Sequence, residues 1–270
     1  MKIFQRTLLV LGIILVIVGI GFVSYGIYKK ITIDIPNPVA TMEVEGYGTI
    51  KIELYPDKAP NTVANFVRLA NRGFYNGLTF HRTIPDFMIQ GGDKNGNGSG
   101  SPSLSDIQDD VTTDKEYNIP GEFIANGYTE NNLKHTKGVI SMARTDYSSI
   151  PSLTTYGYNS AGSQFFIMTE DNTSLDGLYA AFGEVVEGMD VVEKIANAEV
   201  YYRDGEIADD EEKPKDSEGN EVSNANTPKK APVIKSITVE TYGVDYGVPE
   251  TNDVFDYYSW LTQYYGLTAQ

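Results

Sequence analysis

Residues 80–93 read FHRTIPDFMIQGGD. This is not the mixture of a generic strand. An arginine, Arg82, and a glutamine, Gln90, stand among apolar residues, which suits a floor that grips an apolar group while offering it a few directed hydrogen bonds. Strand alternation puts Met88 and Gln90 on one face and leaves Phe87 out of phase. The chain must therefore bend after Pro85 if Phe87 is to join them. Gly91 and Gly92 stop the strand, and Asp93 leads out into a loop.

Residues 94–114, rich in Gly, Ser and Asp, read as that loop. Asp93, Asn95, Asn97 and Gly98 match the first half of an EF-hand loop, but the twelfth position is Leu104 where a bidentate glutamate is needed, so calcium is not expected. On the N-terminal side, residues 39–45 and 49–54 alternate in strand fashion around Gly46-Tyr47-Gly48, a hairpin signal. Residues 56–73 place Val63, Phe66, Val67 and Ala70 on one helical stripe, with Asn61 or Thr62 as cap and Gly73 past the end. Further strands are predicted over 139–143, 163–168, 179–186 and 233–241, and a short helix over 189–198 with Met189, Val192 and Ile195 inward. Many short strands with two helices among them predict a closed or nearly closed antiparallel barrel, its ends covered by the helices.

Three segments stand apart from that pattern. Residues 145–162 form a long Tyr, Ser and Gly rich loop. Residues 203–230 carry the run DDEEKPKDSEGNEVSNANTPKK, highly charged and without aromatics, and read as a solvated, mobile insertion with no fold of its own. A docking arm for a basic partner or a cell-wall polymer is its functional alternative. The tail, 248–270, places Val254, Tyr257, Tyr258, Leu261, Tyr264 and Tyr265 at helical spacing and reads as a docked amphipathic helix.

Residues 7–28, TLLVLGIILVIVGIGFVSYGIY, are uncharged and long enough to span a bilayer. With Lys2 and Arg6 before them, no small-x-small cleavage site and no cysteine for lipid attachment, residues 1–30 read as an uncleaved single-pass membrane anchor. Residues 31–38 are a short Pro-bearing linker, and residues 39–247 the body. That body is expected outside the cytoplasm, as on a bacterial cell surface. The first 30 residues hold four Lys or Arg and no acid, so the rest of the chain carries −20 within an overall −16. Such acidity argues against nucleic acid as partner. With no cysteine in 270 residues there is no disulfide framework, thiol nucleophile or Cys-type zinc site.

Four stretches in order, FHRTIPDFMIQGGD (80–93), LKHTKGVISMAR (133–144), GSQFFIMT (162–169) and LDGLYAAFGEVVEGMDVVEKI (175–195), resemble the cyclophilin-type peptidyl-prolyl isomerases. The resemblance covers residues 39–243. It implies a mainly β fold, a closed eight-stranded antiparallel barrel capped by two helices, with a peptide groove on its outer face. It also implies a monomeric enzyme that needs no metal or cofactor and acts on X-Pro bonds of proline-containing polypeptides. By the same resemblance Arg82 and Gln90 are catalytic, and Phe87, Met88 and Phe166 form the proline pocket with Leu175 at its rim. Gln164 holds the substrate backbone with Gln90, and Ala143, Arg144 and Tyr179 line the groove.

The chemistry fits those residues. Amide resonance sets a barrier of roughly 18–20 kcal/mol to rotation about the X-Pro bond. A donor aimed at the prolyl nitrogen stabilises the twisted state, where that nitrogen regains its lone pair, and not the planar ground state. Raising a rate near 0.01 per second to about 10 per second takes about 4 kcal/mol, within reach of one guanidinium and good positioning. Relatives commonly carry asparagine where this chain has Arg144, tryptophan where it has Ser174, and histidine where it has Tyr179. The long loop 145–162 is expected to overhang the groove and narrow substrate choice. Both histidines, His81 and His135, read as structural. The chain is therefore expected to be an exported, membrane-tethered foldase; a proline-peptide binding module or holdase using the same groove is the alternative.

Overall fold

The alternation around Gly46 and Gly48 produces the expected hairpin. In β1 (Val39–Val44) and β2 (Gly48–Leu54) the buried residues are Ala40, Met42 and Val44 against Ile50, Ile52 and Leu54, paired across the ladder as Ala40 with Ile52 and Met42 with Ile50. The structure, a computed structural model, describes residues 12, 15, 16, 18–20, 35–206 and 213–265. Two units make up the chain, Met1–Pro36 and Asn37–Gln270. The proposed membrane anchor lies almost wholly outside the described residues; Gly12, Leu15, Val16, Val18, Gly19 and Ile20, which are described, are helical and exposed. Among the described residues no helix is long and apolar enough to cross a membrane.

Helix α1 (Pro60–Asn71) buries Val63, Phe66, Val67 and Ala70, the stripe read from its spacing. Its cap is not the one read from the sequence. Pro60 occupies the first turn, Ala59 is the N-cap without a side-chain bond, and the free amides are taken instead by Glu122, 60 residues away. The Glu122 carboxylate accepts from the Asn61 amide at 2.9 Å and from the Thr62 amide and hydroxyl at 2.7 Å each. A buried carboxylate at a helix N-terminus faces the positive end of the dipole. Glu122→Ala should lower unfolding free energy in urea by about 2–4 kcal/mol, because three charge-assisted bonds are lost and two helix amides are stranded. A loss of less than about 1 kcal/mol would show that water replaces the carboxylate.

The remaining strands are β3 (Thr79–Ile84), β4 (Met88–Asp93), β5 (Tyr117–Asn118), β6 (Val139–Met142), β7 (Phe165–Met168), β8 (Ala181–Glu187), β9 (Ile234–Glu240) and β10 (Asn252–Asp253). Short helices α2 (Leu104–Ile107), inside the predicted loop, and α3 (Thr154–Tyr158) precede α4 (Met189–Ala196) and α5 (Tyr257–Tyr264). Eight strands form one antiparallel sheet in the order β3-β4-β7-β6-β8-β2-β1-β9, and β10 pairs with β5 in a second, two-stranded one.

The large sheet is strongly curled but open, which corrects the closed barrel expected from the sequence. Its edge strands β3 and β9 meet at a single bridge, Thr79 to Val233, supported by the Ile234 amide on Leu78 O and the Phe80 amide on Pro232 O. Pro232 has no amide to return, and beyond Phe80 the edge of β3 is taken by another segment. The Thr83 amide donates to Asn226 O, and Arg203 Nη1 donates to Thr83 O at 2.8 Å. Both residues belong to the acidic insertion. The insertion is thus anchored more firmly than its charge suggests: Val222 and Asn226 are buried, and Val200 bridges Pro228. Backbone edges needing partners hold it where hydrophobic residues are few.

Inside the curl, Phe66, Tyr75, Phe80, Phe165 and Phe182 form a continuous aromatic core, with Phe66 to Phe165 at 5.8 Å edge-to-face and Tyr75 to Phe165 at 5.7 Å. Asn71 exchanges two bonds with the backbone of Val239, fixing the C-terminal end of α1 to β9.

Candidate active site

The outer face of the sheet is built from one register row. Arg82 pairs with Gln90, Gln90 with Phe166, Phe166 with Ser141, and Ser141 with Ala181, so five strands each contribute one position. One step along, Ile84 pairs with Met88 and Met88 with Met168. Alternation turns the residues between them, Ile89, Ile140 and Ile167, into the core. The sheet is therefore apolar on both faces at this place. Met88, Val139, Phe166, Met168 and Ala181 form a second apolar cluster, with Phe87, Ala143, Leu175 and Tyr179 packed at its margin.

Phe87 reaches that cluster by the bend its phase demands. The Ile84-Pro85-Asp86-Phe87 turn places Asp86 at φ 57°, and the Phe87 carbonyl accepts from the Thr169 amide. At the other end of β4, Gly92 has φ 79°, and a Cβ there would lie 2.6 Å from Ser163 O. Only glycine fits both demands.

Asp93 then organises the loop read as an exit. Its carboxylate, 1% exposed, accepts from the amides of Asn95, Asn97, Gly98 and Gly100, the last three at 2.6 Å each. The carbonyls of Gly98 and Gly100 in turn accept from Gln164 Nε2, and Gln164 Oε1 accepts from Gln90 Nε2 at 3.0 Å. Gln90 is thereby oriented by Gln164, and no side-chain hydrogen bond joins it to Arg82, its register partner. The Arg82 guanidinium, half-buried, has no hydrogen-bond or ion-pair partner among the described residues.

Beneath the groove lies His135. Its ring stacks on Phe166 at 6.0 Å and 17°, its Nε2 is 3.2 Å from Ser141 Oγ, and its Nδ1 is 3.4 Å from Asp176 Oδ1. A carboxylate only accepts, so the proton sits on Nδ1 and Nε2 accepts from the serine hydroxyl. Tyr179 stands edge-on to Phe166 at 5.6 Å. Arg144, at the position where a substrate contact was expected, is largely spent within the chain. Its Nε donates to Leu178 O at 3.0 Å and Nη1 to Thr145 O, while its guanidinium lies 4.5 Å over Tyr179 and 5.1 Å over Tyr158. Ser174 is exposed, its amide and hydroxyl both on Asn172 Oδ1.

A bulge between Phe80 and Arg82 brings His81 alongside the arginine, so the two line one compartment. His81 is 7% exposed and neither ring nitrogen has a hydrogen-bond partner among the described residues. Burial pushes the pKa of His81 down, with Asp93 opposing and Arg82 reinforcing, and burial also lowers that of His135 against the pull of Asp176. Both rings are neutral in the folded chain, whereas the unfolded chain takes up their protons near about pH 6.5. The stability tied to these neutral rings is complete above about 6.5 and is lost as pH falls from there toward the lower folded values. The unfolding free energy measured in urea should therefore be lower at about pH 5.5 than at about 7.5, falling below about 6.5 by up to about 1.4 kcal/mol per pH unit for each histidine, and the urea midpoint should fall with it. A flat midpoint over that interval would mean the rings protonate in place.

Two hollows flank the Gly98 turn, and Gln90 and Gly98 line both. One, of about 380 Å³, is bounded by Gln164, Ala143, Arg144, Tyr147 and Phe255. The other, of about 610 Å³, runs from His81 and Arg82 to the insertion. Phe255 comes from the tail, read from the sequence as a docked helix with Val254, Tyr257, Tyr258, Leu261, Tyr264 and Tyr265 at its spacing. Of these, Tyr258, Tyr264 and Tyr265 are exposed, and the docking is done by Phe255, stacked on Tyr156 at 4.1 Å, and by Tyr257 on Tyr147. Asn61 exchanges bonds with the Glu250 backbone, β10 pairs with β5, and Lys115 pairs with Asp253, so the tail is held before the helix begins. Tyr147 belongs to the loop 145–162 expected over the groove, whereas the sequence carried no signal for Phe255, more than 100 positions away, as its neighbour there.

An open curled sheet carrying an arginine, a glutamine and an apolar pocket on its outer face defines an enzyme of the peptidyl-prolyl isomerase class. A family model described as cyclophilin type peptidyl-prolyl cis-trans isomerase/CLD matches residues 39–238, and the chain belongs to that family. Peptidyl-prolyl cis-trans isomerase B of Bacillus subtilis (strain 168) is 39% identical over 157 residues, covering 58% of this chain and 90% of that protein. A peptidyl-prolyl cis-trans isomerase of Synechococcus elongatus is 40% identical over 162 residues, 59% of this chain and 90% of that one. The crystal structure of a Cryptosporidium parvum cyclophilin type peptidyl-prolyl cis-trans isomerase, determined in the presence of the dipeptide Ala-Pro, is similar with TM-score 0.52 and 27% identity over 75% of this chain and 98% of that one.

Proposed function

We propose that this isomerase is a membrane-tethered, extracytoplasmic foldase acting as a monomer on X-Pro bonds of secreted or surface proteins. Arg82 is its catalytic donor. The observation that carries the mechanism is the Arg82 guanidinium, without a partner among the described residues, in the same register row as Gln90 and Phe166 and beside the apolar cluster of Phe87, Met88 and Phe166. The proline ring enters that cluster with Leu175 at its edge, and Ala143, Arg144 and Tyr179 flank it. Gln90 and Gln164, already joined to each other, hold the substrate backbone in extended form. Arg82 donates to the prolyl nitrogen as the amide twists, an interaction the planar amide does not offer. The Ala-Pro dipeptide used with the Cryptosporidium parvum relative fits such a pocket.

The uncharged run at 7–28 and the −20 charge of residues 31–270 support placement outside the cytoplasm. Two-dimensional NMR exchange on an Ala-Pro peptide tests the catalytic part directly. Exchange cross-peaks should grow at substoichiometric chain. Binding without faster exchange would favour the holdase reading. Protease treatment of intact cells tests the location: shaving of the body from the outside is expected, and its protection would overturn the placement.

A further inference from the structure

Two rings tie the C-terminal tail to the reaction groove. Phe255 and Tyr147 line the hollow of about 380 Å³ that Gln90 and Gln164 also line, so a polypeptide held by the two glutamines meets aromatic rings at that end of the groove. From that wall a row of rings runs outward along α5. Tyr147 lies on Tyr257 at 6.0 Å and 14°, Tyr257 on Trp260 at 5.9 Å and 27°, and Trp260 on Tyr264 at 4.9 Å and 21°. Each contact is stacked, so the rings hold one another in place before any partner arrives. The row is anchored at its root, where Phe255 stacks on Tyr156 and β10 pairs with β5. Its far end opens to solvent, with Tyr264 66% exposed. An ordered aromatic row that ends in water and begins in a binding groove marks an interaction surface continuous with that groove.

The chemistry of the row narrows the partner. Residues 248–270 hold no Lys or Arg, and of their three acids Asp253 is paired with Lys115 and Asp256 caps α5 through the Ser259 amide. The rings themselves carry no charge. Among the described residues no atom accepts from the Tyr264 hydroxyl or the Trp260 indole N–H. Rings with unspent donors at their edges suit an extended polypeptide, its apolar side chains on the rings and its carbonyls on the donors. From Phe255 onward the row lies beyond residue 238, where the family match ends, so it is this chain's own addition to the groove. We propose that the tail prolongs the substrate groove and carries an extended apolar stretch of the client polypeptide from Gln90 past Phe255 onto Tyr257, Trp260 and Tyr264. This surface rests on the isomerase reading.

Trp260 is the single tryptophan of the chain and reports on the row directly. Tryptophan-free peptides with one Ala-Pro bond are compared by NMR exchange with the full chain. One is short; the others are extended on one side or the other by about eight residues, about 3.1 Å each and so longer than the row. The extensions alternate Leu with Gln, or Ser with Gln. On one side the Leu extension should lower KM roughly ten-fold against the Ser extension, the scale of one large apolar side chain taken out of water, and should change Trp260 emission as it saturates. Tyr264→Ser, which leaves the Phe255 and Tyr257 contacts in place, should lose part of that preference. With Trp260→Ser added the preference should vanish, while turnover of the short peptide holds and shows that the variant is folded. Equal KM for the two extensions, or a preference that survives in the double variant, overturns the surface and leaves the isomerase reading standing. So does self-association of the chain, or its partition onto neutral phosphatidylcholine vesicles, appearing in place of the preference and abolished by the double variant. No turnover of the short peptide by the unaltered chain overturns both.

Discussion

Arg82→Ala should lower kcat/KM on an Ala-Pro peptide by about two to three orders of magnitude, the cost of removing one preorganised donor from a developing charge. The fall should lie mainly in kcat, because the planar amide of the bound substrate does not engage the guanidinium and the twisted amide does. Stability should change by less than about 0.5 kcal/mol, since the side chain is half-buried and spends no bond on any of the described residues. That separation is what a structural arginine would not show: a structural residue lowers the unfolding midpoint and leaves the surviving molecules active. Arg82→Lys should recover little, because an ammonium is a compact, strongly hydrated charge without the rigid fork that presents one N–H at a fixed angle. Activity of the purified alanine variant equal to the parent would defeat the mechanism, whatever the fold. The ring nitrogens of His81 next door offer no substitute donor of comparable charge, since burial keeps that imidazole neutral.

How far the site was legible in the sequence follows from the range over which each signal acts. The period of two in residues 80–93 and 163–168 is local, and by itself it puts Met88 with Gln90 and Gln164 with Phe166. The bend that rescues Phe87 was likewise forced by Pro85. The bulge at His81 was not visible, because nothing in Phe-His-Arg marks which residue of a strand goes unpaired. The cap of α1 was misplaced for a similar reason: Asn61 and Thr62 are good capping residues, yet a glutamate far along the chain reaches their amides first. Closure of the sheet was overestimated because strand counting takes no account of where edges diverge, and here the charged insertion occupies the edge of β3 that closure would have used. Arg144 shows the limit of reasoning by position. Its place beside the groove followed from the motif, but its guanidinium is held by Leu178 O and the faces of Tyr179 and Tyr158, contacts that depend on two distant segments.

The second large effect separates two neighbouring phenylalanines. Phe165 and Phe166 are 0% and 5% exposed, so burial alone does not tell them apart. Alternation does. Phe165 points inward, edge-on to Phe66, Tyr75 and Phe80, whereas Phe166 points outward onto His135 and Tyr179 beside Met88. Phe165→Ala should cost about 3–5 kcal/mol of stability, because three aromatic neighbours around it cannot collapse into the space it leaves. The fraction that remains folded should bind and turn over an Ala-Pro peptide with little change in KM. Phe166→Ala should cost less, about 1–3 kcal/mol, since its outer side faces a groove that water can fill. In compensation its effect on catalysis should be the larger, with KM raised at least about ten-fold as the proline ring loses the floor of its pocket. Urea unfolding and NMR exchange on the same two variants give both numbers. The reverse pattern, with Phe166→Ala the less stable and Phe165→Ala the weaker binder, would place the groove on the other face of β7 and remove Arg82, Gln90 and Phe166 from a common surface.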